Sequence, residues 1–251
     1  ADIVYNNTMI NLLTIKSALE QGAKKFLFSS SACVYPGYRQ GMGTEGNGKG
    51  FKGAPRYEPI IGTDWKLREE DVYPADAEDG YGWEKLMMEH TCRHFMEDYG
   101  LKTYVARFHN IYGPFGTYRG GKEKSPAALC RKIAFGGSQL EIWGNGEQTR
   151  SYCYIDDCVK GLYALMQSNY HKPINLGSER LVSINELADM IMKISGHDMQ
   201  KVYDISKPQG VKGRNADIAK ANEILNWYPE ISLEEGIERT YKWIKEKISQ
   251  L

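Results

Sequence analysis

The fold class is decided by the stretch Lys24-Lys25-Phe26-Leu27-Phe28-Ser29-Ser30-Ser31, in which an apolar run breaks abruptly into polar residues. A short run of this kind is typical of a buried parallel strand that ends at a loop. Before it, apolar residues spaced mostly three or four apart predict an amphipathic helix over residues 6–20, which Gly22 ends. Helix, glycine, strand and polar loop in this order indicate an α/β fold with a doubly wound parallel sheet.

The rest of the chain continues this alternation. The pattern predicts a helix over residues 81–99 that Gly100 closes, followed by a strand over residues 103–108. Further helices are predicted over residues 125–135, 156–166, 184–194 and 233–248. Residues 37–64 hold many glycines and show no periodicity, which indicates a long surface loop, with a lid or a disordered segment as alternatives.

The composition excludes several classes of partner. The 32 basic and 32 acidic residues leave no net charge that would recruit nucleic acid or an anionic membrane. The five cysteines form no CxxC pair, which favours a reducing compartment over a disulfide framework. No apolar run reaches the roughly 20 residues that a spanning helix requires. The histidines show no metal-ligand spacing, so we expect no metal. Together with the charge and the cysteines, this predicts a cytoplasmic protein without a nucleic-acid partner or a membrane partner.

Tyr81 and Lys85 lie four residues apart at the start of a predicted helix, so both side chains project from one face. An ammonium beside a phenol lowers the pKa of Tyr81 toward neutrality, which allows Tyr81 to act as a base on a hydroxyl. A lone Tyr-x-x-x-Lys pair also arises by chance or from helix-surface packing. Here a serine cluster ends the preceding strand, where Ser31 can bind the same substrate hydroxyl. Together these residues indicate a hydride-transfer enzyme.

Four stretches resemble, in order and spacing, the nucleotide-sugar epimerases of the extended short-chain dehydrogenase/reductase family; they are residues 29–36, 81–85, 107–114 and 144–151. Within that family the chain is most similar to the GDP-mannose 3,5-epimerases, through Ser31-Ala32-Cys33 and residues 118–128. The resemblance implies an isomerase with a Rossmann-like sheet and a smaller C-terminal substrate-binding lobe. It also implies NAD as cofactor, a GDP-hexose as substrate and a homodimer.

The resemblance implies a division of the chain into two parts. Residues 1–110, with residues 147–177 returning to them, form the remaining part of the NAD-binding Rossmann domain. Residues 111–146 and 178–251 form the nucleotide-sugar-binding lobe. The sequence lacks the glycine-rich turn that holds the NAD pyrophosphate in this family, so we expect the chain to be a piece of a longer protein with its N-terminal part missing.

The resemblance assigns catalytic roles to five residues, which are Ser31, Cys33, Tyr81, Lys85 and Lys124. Tyr81, assisted by Lys85 and Ser31, deprotonates the C4 hydroxyl of GDP-mannose during a transient oxidation by NAD. The protons on C3 and C5 then become acidic, and Cys33 and Lys124 exchange them through an enediolate. Reduction of C4 completes the conversion to GDP-L-galactose without net redox.

The resemblance also assigns residues that hold the ligands. The cofactor-binding residues are Asn6, Ser29, Tyr81, Lys85 and Phe108. The substrate-binding residues are Ser31, Ala32, Cys33, Asn110, Glu123, Lys124, Lys132, Gln148, Thr149, Arg150 and Arg214. Among these, Lys132, Arg150 and Arg214 match positions that hold the diphosphate, a role that suits guanidinium groups because they bond phosphate oxygens in pairs.

Two other interpretations stay open. The first keeps the fold and changes the reaction to that of a UDP- or dTDP-sugar 4-epimerase or a related enzyme. The second is a catalytically silent binding protein of the same fold. The joint presence of five residues argues against the second, since a scaffold has no need for that set; they are Ser31, Cys33, Tyr81, Lys85 and Lys124.

Overall fold

The computed structural model describes residues 1–40, 66–77, 79–207 and 210–250. The surface loop predicted over residues 37–64 therefore falls mostly outside the described residues. Its described part, Gly37–Gln40, is a short 3-10 helix. The chain divides into two compact units, each built from three segments of the sequence.

The helices and strands of the described residues are, in chain order, α1 (Asp2–Glu20), β1 (Lys25–Ser31), α2 (Gly80–Tyr99), β2 (Lys102–Phe108), β3 (Ile111–Tyr112), α3 (Ser125–Phe135), β4 (Gln139–Trp143), β5 (Thr149–Arg150), β6 (Cys153–Tyr154), α4 (Ile155–Gln167), β7 (Ile174–Leu176), β8 (Val182–Ser183), α5 (Ile184–Ser195), β9 (Gln200–Asp204), β10 (Gly213–Arg214), α6 (Ala219–Leu225) and α7 (Leu233–Ser249). The helices predicted from periodicity are all present, although α1 already begins at Asp2.

The first unit comprises Ala1–His109, Val159–Leu176 and Ala216–Tyr228. Its sheet is parallel and has the strand order β1-β2-β7. β1 and β2 pair over their whole length, so that both strands end at the same edge. One buried cluster joins this sheet to α1 and α2 through Ile15, Phe28, Met88, Cys92, Leu101 and Val105. The parallel sheet with its covering helices confirms the predicted α/β fold class.

Helix α2 is capped at both ends. At its start the Asp79 side chain accepts a hydrogen bond from the Gly82 N–H at 2.8 Å, which satisfies a donor that the helix leaves free. At its end Gly100 adopts the left-handed conformation with φ of 72° and donates its N–H to the Met96 carbonyl. These two caps fix where Tyr81 enters the helix.

The second unit comprises Asn110–Cys158, Gly177–Asn215 and Pro229–Leu251. It holds a sheet with the order β10-β5-β8 and two strand pairs, β3 with β6 and β4 with β9. Helices α3, α5 and α7 enclose its core, to which Ile133, Leu140, Leu187, Ile191, Ile237 and Ile244 belong. A capping box of Ser183 and Glu186 starts α5.

The borders of the units differ in two places by more than one residue from the predicted division. Residues 147–158 lie in the second unit, although the sequence placed them with the first, because β5 and β6 pair with strands of that unit. Ala216–Tyr228, predicted for the lobe, lies in the first unit, where Leu67 and Ala216 form an isolated bridge.

Within the described ranges, none of the helices has the length and apolar character that crossing a membrane demands.

Candidate active site

The carboxyl end of β1 brings together Ser31, Ala32 and Cys33. Ser31 is the last residue of the strand, and its hydroxyl accepts the N–H of Cys33 at 3.1 Å. This bond caps the 3-10 turn Ala32–Val34, in which Cys33 is half-buried and Ala32 is buried. The Ser31 hydroxyl therefore lies at the carboxyl end of β1, and the Cys33 thiol lies in the turn that follows it directly.

Tyr81 is brought to the same place by the start of α2. The backbone of Gly82, the next residue, lies directly against the carbonyl group of Cys33, where a side chain has no room. Ser31 and Cys33 both influence the proton affinity of the Tyr81 phenol, the first through a hydrogen bond and the second through its charge. Three of the predicted catalytic residues thus meet within the first unit.

Burial raises the pKa of Tyr81 above its ordinary value of 10.0, the nearby Cys33 adds to this effect, and a hydrogen bond with Ser31 opposes it. This direction is opposite to the predicted lowering by Lys85. The reason is burial, which outweighs the other influences on the phenol. Lys85 Nζ lies over the rings of Phe28 and Tyr81, 4.8 and 5.4 Å from their centroids. It donates to the carbonyl oxygen of Ser29 at 3.1 Å. Burial in turn lowers the pKa of Lys85, against the pull of Glu84.

The predicted cofactor residues Ser29 and Phe108 lie on the sheet of the first unit. Ser29 is exposed near the end of β1, and Phe108 ends β2 in register with Ser31. Asn6 is exposed on α1, whereas its neighbour Asn7 turns toward α2 and donates to the buried Glu84 carboxylate at 3.0 Å. Ser29, Lys85 and Phe108 therefore share the carboxyl edge of the sheet with the catalytic cluster.

A buried ion pair lies beside the carboxyl end of β1. Arg107 on β2 binds both carboxylate oxygens of Glu89 on α2, at 2.9 and 2.7 Å. Ser30 donates its hydroxyl to the same carboxylate, and Arg107 also donates to the Tyr35 hydroxyl at 3.1 Å. These bonds tie β1, β2 and α2 together immediately beside Ser31. The sequence did not single out this network.

Four predicted substrate residues line one cavity of about 500 Å³ in the second unit; they are Glu123, Lys132, Gln148 and Arg150. The same cavity is lined by Arg119, Arg131, Glu141 and Trp143, which the sequence did not assign. Glu141 and Trp143 are exposed on alternate positions of β4, while Leu140 and Ile142 are buried. This alternation was the signal that could have revealed them.

Ion pairs organise the charged wall of this cavity. Lys132 donates to Glu141 Oε2 at 2.7 Å and to the Glu141 carbonyl oxygen at 2.9 Å, and Trp143 donates its indole N–H to the same carboxylate. The bond from Lys132 holds the pKa of Glu141 below its usual range. Lys132, predicted as a diphosphate ligand, is thus already paired with a carboxylate.

The remaining predicted substrate residues lie at other points of the second unit. Thr149 and Arg150 form β5 and pair with Gly213 and Arg214 of β10, so that Arg150 and Arg214 stand in register. Asn110 has a positive φ of 48° and donates its side-chain amide to the Ser151 carbonyl at 2.9 Å. Lys124 is exposed at the N-terminal end of α3. Among the described residues, no group of three or more His, Cys, Asp or Glu side chains could hold a metal ion.

The chain is similar to enzymes that act on nucleotide-sugars. It is 42% identical over 248 residues to "GDP-mannose 3,5-epimerase 1" of Oryza sativa subsp. indica, and the match covers 99% of this chain and 60% of the rice protein. A UDP-glucose 4-epimerase of Thermotoga maritima, solved with UDP-glucose, superposes with a TM-score of 0.78 at 27% identity, which covers 95% of this chain and 69% of that one. A UDP-glucuronic acid 4-epimerase of Bacillus cereus, solved with UDP-glucuronic acid and NAD, gives a TM-score of 0.75 at 26% identity over 96% of this chain and 68% of that one.

The chain therefore spans about three fifths of the length of the curated relative from rice. Residues 1–177 match the family described as NAD dependent epimerase/dehydratase. These residues include the strand that ends in Ser31 and the helix that carries Tyr81 and Lys85. The chain belongs to the NAD dependent epimerase/dehydratase family, the extended short-chain dehydrogenase/reductase group whose motifs it carries.

Proposed function

We propose that the protein is an NAD-dependent isomerase that epimerises GDP-mannose at C3 and C5 and so forms GDP-L-galactose. The similarity to the rice GDP-mannose 3,5-epimerase, which extends over 99% of this chain, supports this substrate. The observation that carries the proposal is the position of Cys33, whose carbonyl group lies directly against the backbone of Gly82, the residue after Tyr81. A thiol base beside an alcohol-binding tyrosine suits an enzyme that must also remove a proton from carbon.

The carboxyl edge of the sheet in the first unit fits NAD. Parallel α/β sheets bind dinucleotides outside the carboxyl ends of their strands, where Ser29, Ser31 and Phe108 lie. An ammonium has three donors, and Lys85 uses one of them on the Ser29 carbonyl, so it retains donors for hydroxyl groups of the cofactor. NAD, when bound, supplies the reversible oxidation of the C4 hydroxyl. Asn6 contributes a polar contact to the cofactor from α1.

Tyr81 exchanges the proton of the C4 hydroxyl. Because burial raises the pKa of Tyr81, the phenol is protonated at neutral pH and is ready to return a proton to C4 oxygen. The hydrogen bond with Ser31 opposes this rise and so helps Tyr81 to accept a proton in the forward direction. Lys85 Nζ lies over the Tyr81 ring, 5.4 Å from its centroid.

Cys33 and Lys124 exchange the carbon-bound protons. A ketone at C4 makes the protons on C3 and C5 acidic, and inversion needs removal of a proton and delivery of another. The half-buried Cys33 thiol lies on a turn that the Ser31 hydroxyl caps, which gives it a defined position for proton removal. Lys124 is exposed at the start of α3, where its ammonium is available as the acid.

The nucleotide part of the substrate uses the cations of the second unit. Arg150 and Arg214 stand in register on paired strands, and such neighbouring guanidinium groups suit the oxygens of a diphosphate. Arg150 also lines the cavity of about 500 Å³, which is large enough for part of a nucleotide-sugar. Further proposed contacts come from Ala32, Asn110, Glu123, Lys132, Gln148 and Thr149.

A second candidate is a UDP- or dTDP-sugar 4-epimerase, since the superposition on the Thermotoga maritima UDP-glucose 4-epimerase covers 95% of this chain. Incubation of the NAD-loaded protein with GDP-mannose in deuterated water separates the two. We expect deuterium at C3 and C5 by NMR, because both centres lose and regain a proton. A 4-epimerase leaves both carbons unlabelled, and that result would contradict the proposal.

We also propose a homodimer and a cytoplasmic location. Large apolar side chains are exposed on α1 and α2, which supports contact with a second copy; they include Tyr5, Met9, Ile10, Leu13, Trp83 and Met87. The five cysteines are thiols in the structure, which fits a reducing compartment. Sedimentation of the purified protein tests the dimer, and localisation of a tagged copy tests the compartment.

A further inference from the structure

An ion pair joins Glu123 to Arg131 at the wall of the cavity in the second unit. Arg131 Nη2 lies 2.8 Å from Glu123 Oε1, and only 7% of the Glu123 side chain is exposed. Burial by itself raises the pKa of Glu123, but backbone hydrogen bonds and the bond from Arg131 hold it below its usual range. Glu123 is therefore a buried carboxylate that stays ionised at neutral pH.

The second carboxylate oxygen of Glu123 has no donor within the described part of the chain. Oε2 is buried and makes no hydrogen bond, and the same holds for Gln148 Oε1, which lines the same cavity. A buried carboxylate oxygen without a donor costs more than a neutral acceptor would, so proteins seldom retain one without a use. The residues that line the cavity thus hold two buried acceptors that lack a donor.

Arg131 acts on this carboxylate from a rigid support. It lies in α3, whereas Glu123 lies just before that helix, after Gly120 and Gly121, which have positive φ values of 97° and 80°. Glycine adopts such φ angles readily, whereas a residue with a side chain would be strained at these positions. The bond from Arg131 is the side-chain contact that fastens the end of this turn, and Lys124 follows Glu123 directly in the chain.

We propose that Arg131 is a positioning residue that holds Glu123 so that its Oε2 accepts a hydrogen bond from a hydroxyl group of the hexose of the nucleotide-sugar. This inference rests on the proposed function, in which the adjacent Lys124 exchanges a proton on the same hexose. Glu123 and Lys124 are consecutive residues, and Lys124 is exposed at the start of α3. Arg131 thereby fixes the carboxylate that recognises the hexose.

The experiment measures the dissociation constants of GDP-mannose and of GDP for the full-length, NAD-loaded protein by calorimetry. GDP keeps the base, the ribose and the diphosphate and lacks only the hexose. We expect Glu123→Gln and Arg131→Gln each to weaken GDP-mannose binding by roughly tenfold to a hundredfold, as for a hydrogen bond to a charged group, and to change GDP binding by less than about threefold. Since both variants remove one interaction, the double variant is no weaker than the weaker single one.

Two variants control for other effects. Arg119→Gln removes a cation from the same cavity without touching Glu123, so it lowers the affinities for GDP and GDP-mannose alike. Arg131→Lys keeps a charged donor, and because the ion pair is made through one nitrogen we expect it to recover part of the lost affinity. Arg131→Lys and Glu123→Gln also carry the test if Arg131→Gln does not fold, which its melting curve reveals.

Equal losses for GDP and GDP-mannose in the Glu123→Gln variant would overturn the inference, because the carboxylate would then contact the base, ribose or diphosphate. Additive losses in the double variant would overturn the positioning role of Arg131. The proposed function fails separately, if the parent protein binds UDP-glucose in preference to GDP-mannose. The same ratios are then measured with UDP-glucose and UDP, and they decide the role of Arg131 independently.

Discussion

Gly82 lies so close to the backbone of Cys33 that a Cβ atom at this position would stand 2.1 Å from the Cys33 carbonyl oxygen. No backbone atom can be displaced cheaply to relieve such a contact. The turn that carries the proposed thiol base and the helix that carries Tyr81 are therefore in direct backbone contact. This contact brings the thiol and the phenol together, although Cys33 and Tyr81 lie 48 positions apart in the sequence.

Replacement of Gly82 by alanine separates the two elements. We expect Gly82→Ala to cost roughly 1–3 kcal/mol of unfolding free energy and to lower the epimerisation rate about a hundredfold, since small misplacements of catalytic groups are costly. Denaturant unfolding and a turnover assay measure the two effects.

Gly80→Ala in the same helix is the matched control. A Cβ atom at Gly80 meets only the end of the Val4 side chain, at 2.6 Å, and that side chain can move. The rate of this variant should stay within about threefold of the parent. If Gly82→Ala behaves like Gly80→Ala, the close contact does not govern the site.

Cys33 is expected to be the base for carbon-bound protons. Cys33→Ala should abolish deuterium exchange at C5, because alanine has no group that accepts a proton. Cys92→Ala, which removes a thiol from the core beside Met88, should retain exchange at the parental rate and lose only stability. NMR in deuterated water measures the exchange at C5 for both variants. Exchange at C5 by Cys33→Ala at the parental rate would remove this residue from the mechanism.

The pH dependence of turnover should report Tyr81. Burial raises the pKa of its phenol above the ordinary 10.0, so the basic form becomes more populated, and the rate higher, as pH rises from neutrality. Ser31→Ala removes the hydrogen bond that lowers the pKa of Tyr81, so the pH profile of its turnover rate should shift to higher pH. Turnover numbers at saturating substrate over a pH series test this. A profile that shifts to lower pH in Ser31→Ala would contradict the assignment.

The buried pair of Arg107 and Glu89 should dominate the stability of the first unit. Arg107→Met leaves the Glu89 carboxylate buried without its cation, which costs roughly 3–5 kcal/mol. The double variant with Glu89→Leu should recover part of that loss, because no uncompensated charge remains. Lys242→Met breaks an exposed pair with Glu238 on α7 and should cost about 0.5 kcal/mol or less. Urea unfolding curves compare the three. Equal costs for the buried and the exposed pair would contradict this expectation.

The helices except α6, and the first two strands, could be predicted because their signals are local. Periodic apolar residues and the terminating Gly100 fix α2 almost to the residue, and the apolar run before Ser29 fixes β1. The two-residue strands, such as β3 and β10, carry no such pattern. Their pairing depends on partners far away in the sequence, which periodicity cannot identify.

The sequence by itself determined the residue types available for chemistry: a hydroxyl at a strand end, a tyrosine and a lysine on one helix face, and a thiol two residues beyond Ser31. Only the tertiary structure decided their charge states and partners. It buried Tyr81, which raises the pKa of the phenol, it placed Lys85 over the ring of Tyr81, and it paired Lys132 with Glu141 and Arg131 with Glu123. The reason is physical, since residue type and spacing are local, whereas desolvation and Coulomb interactions depend on which distant groups the fold packs together.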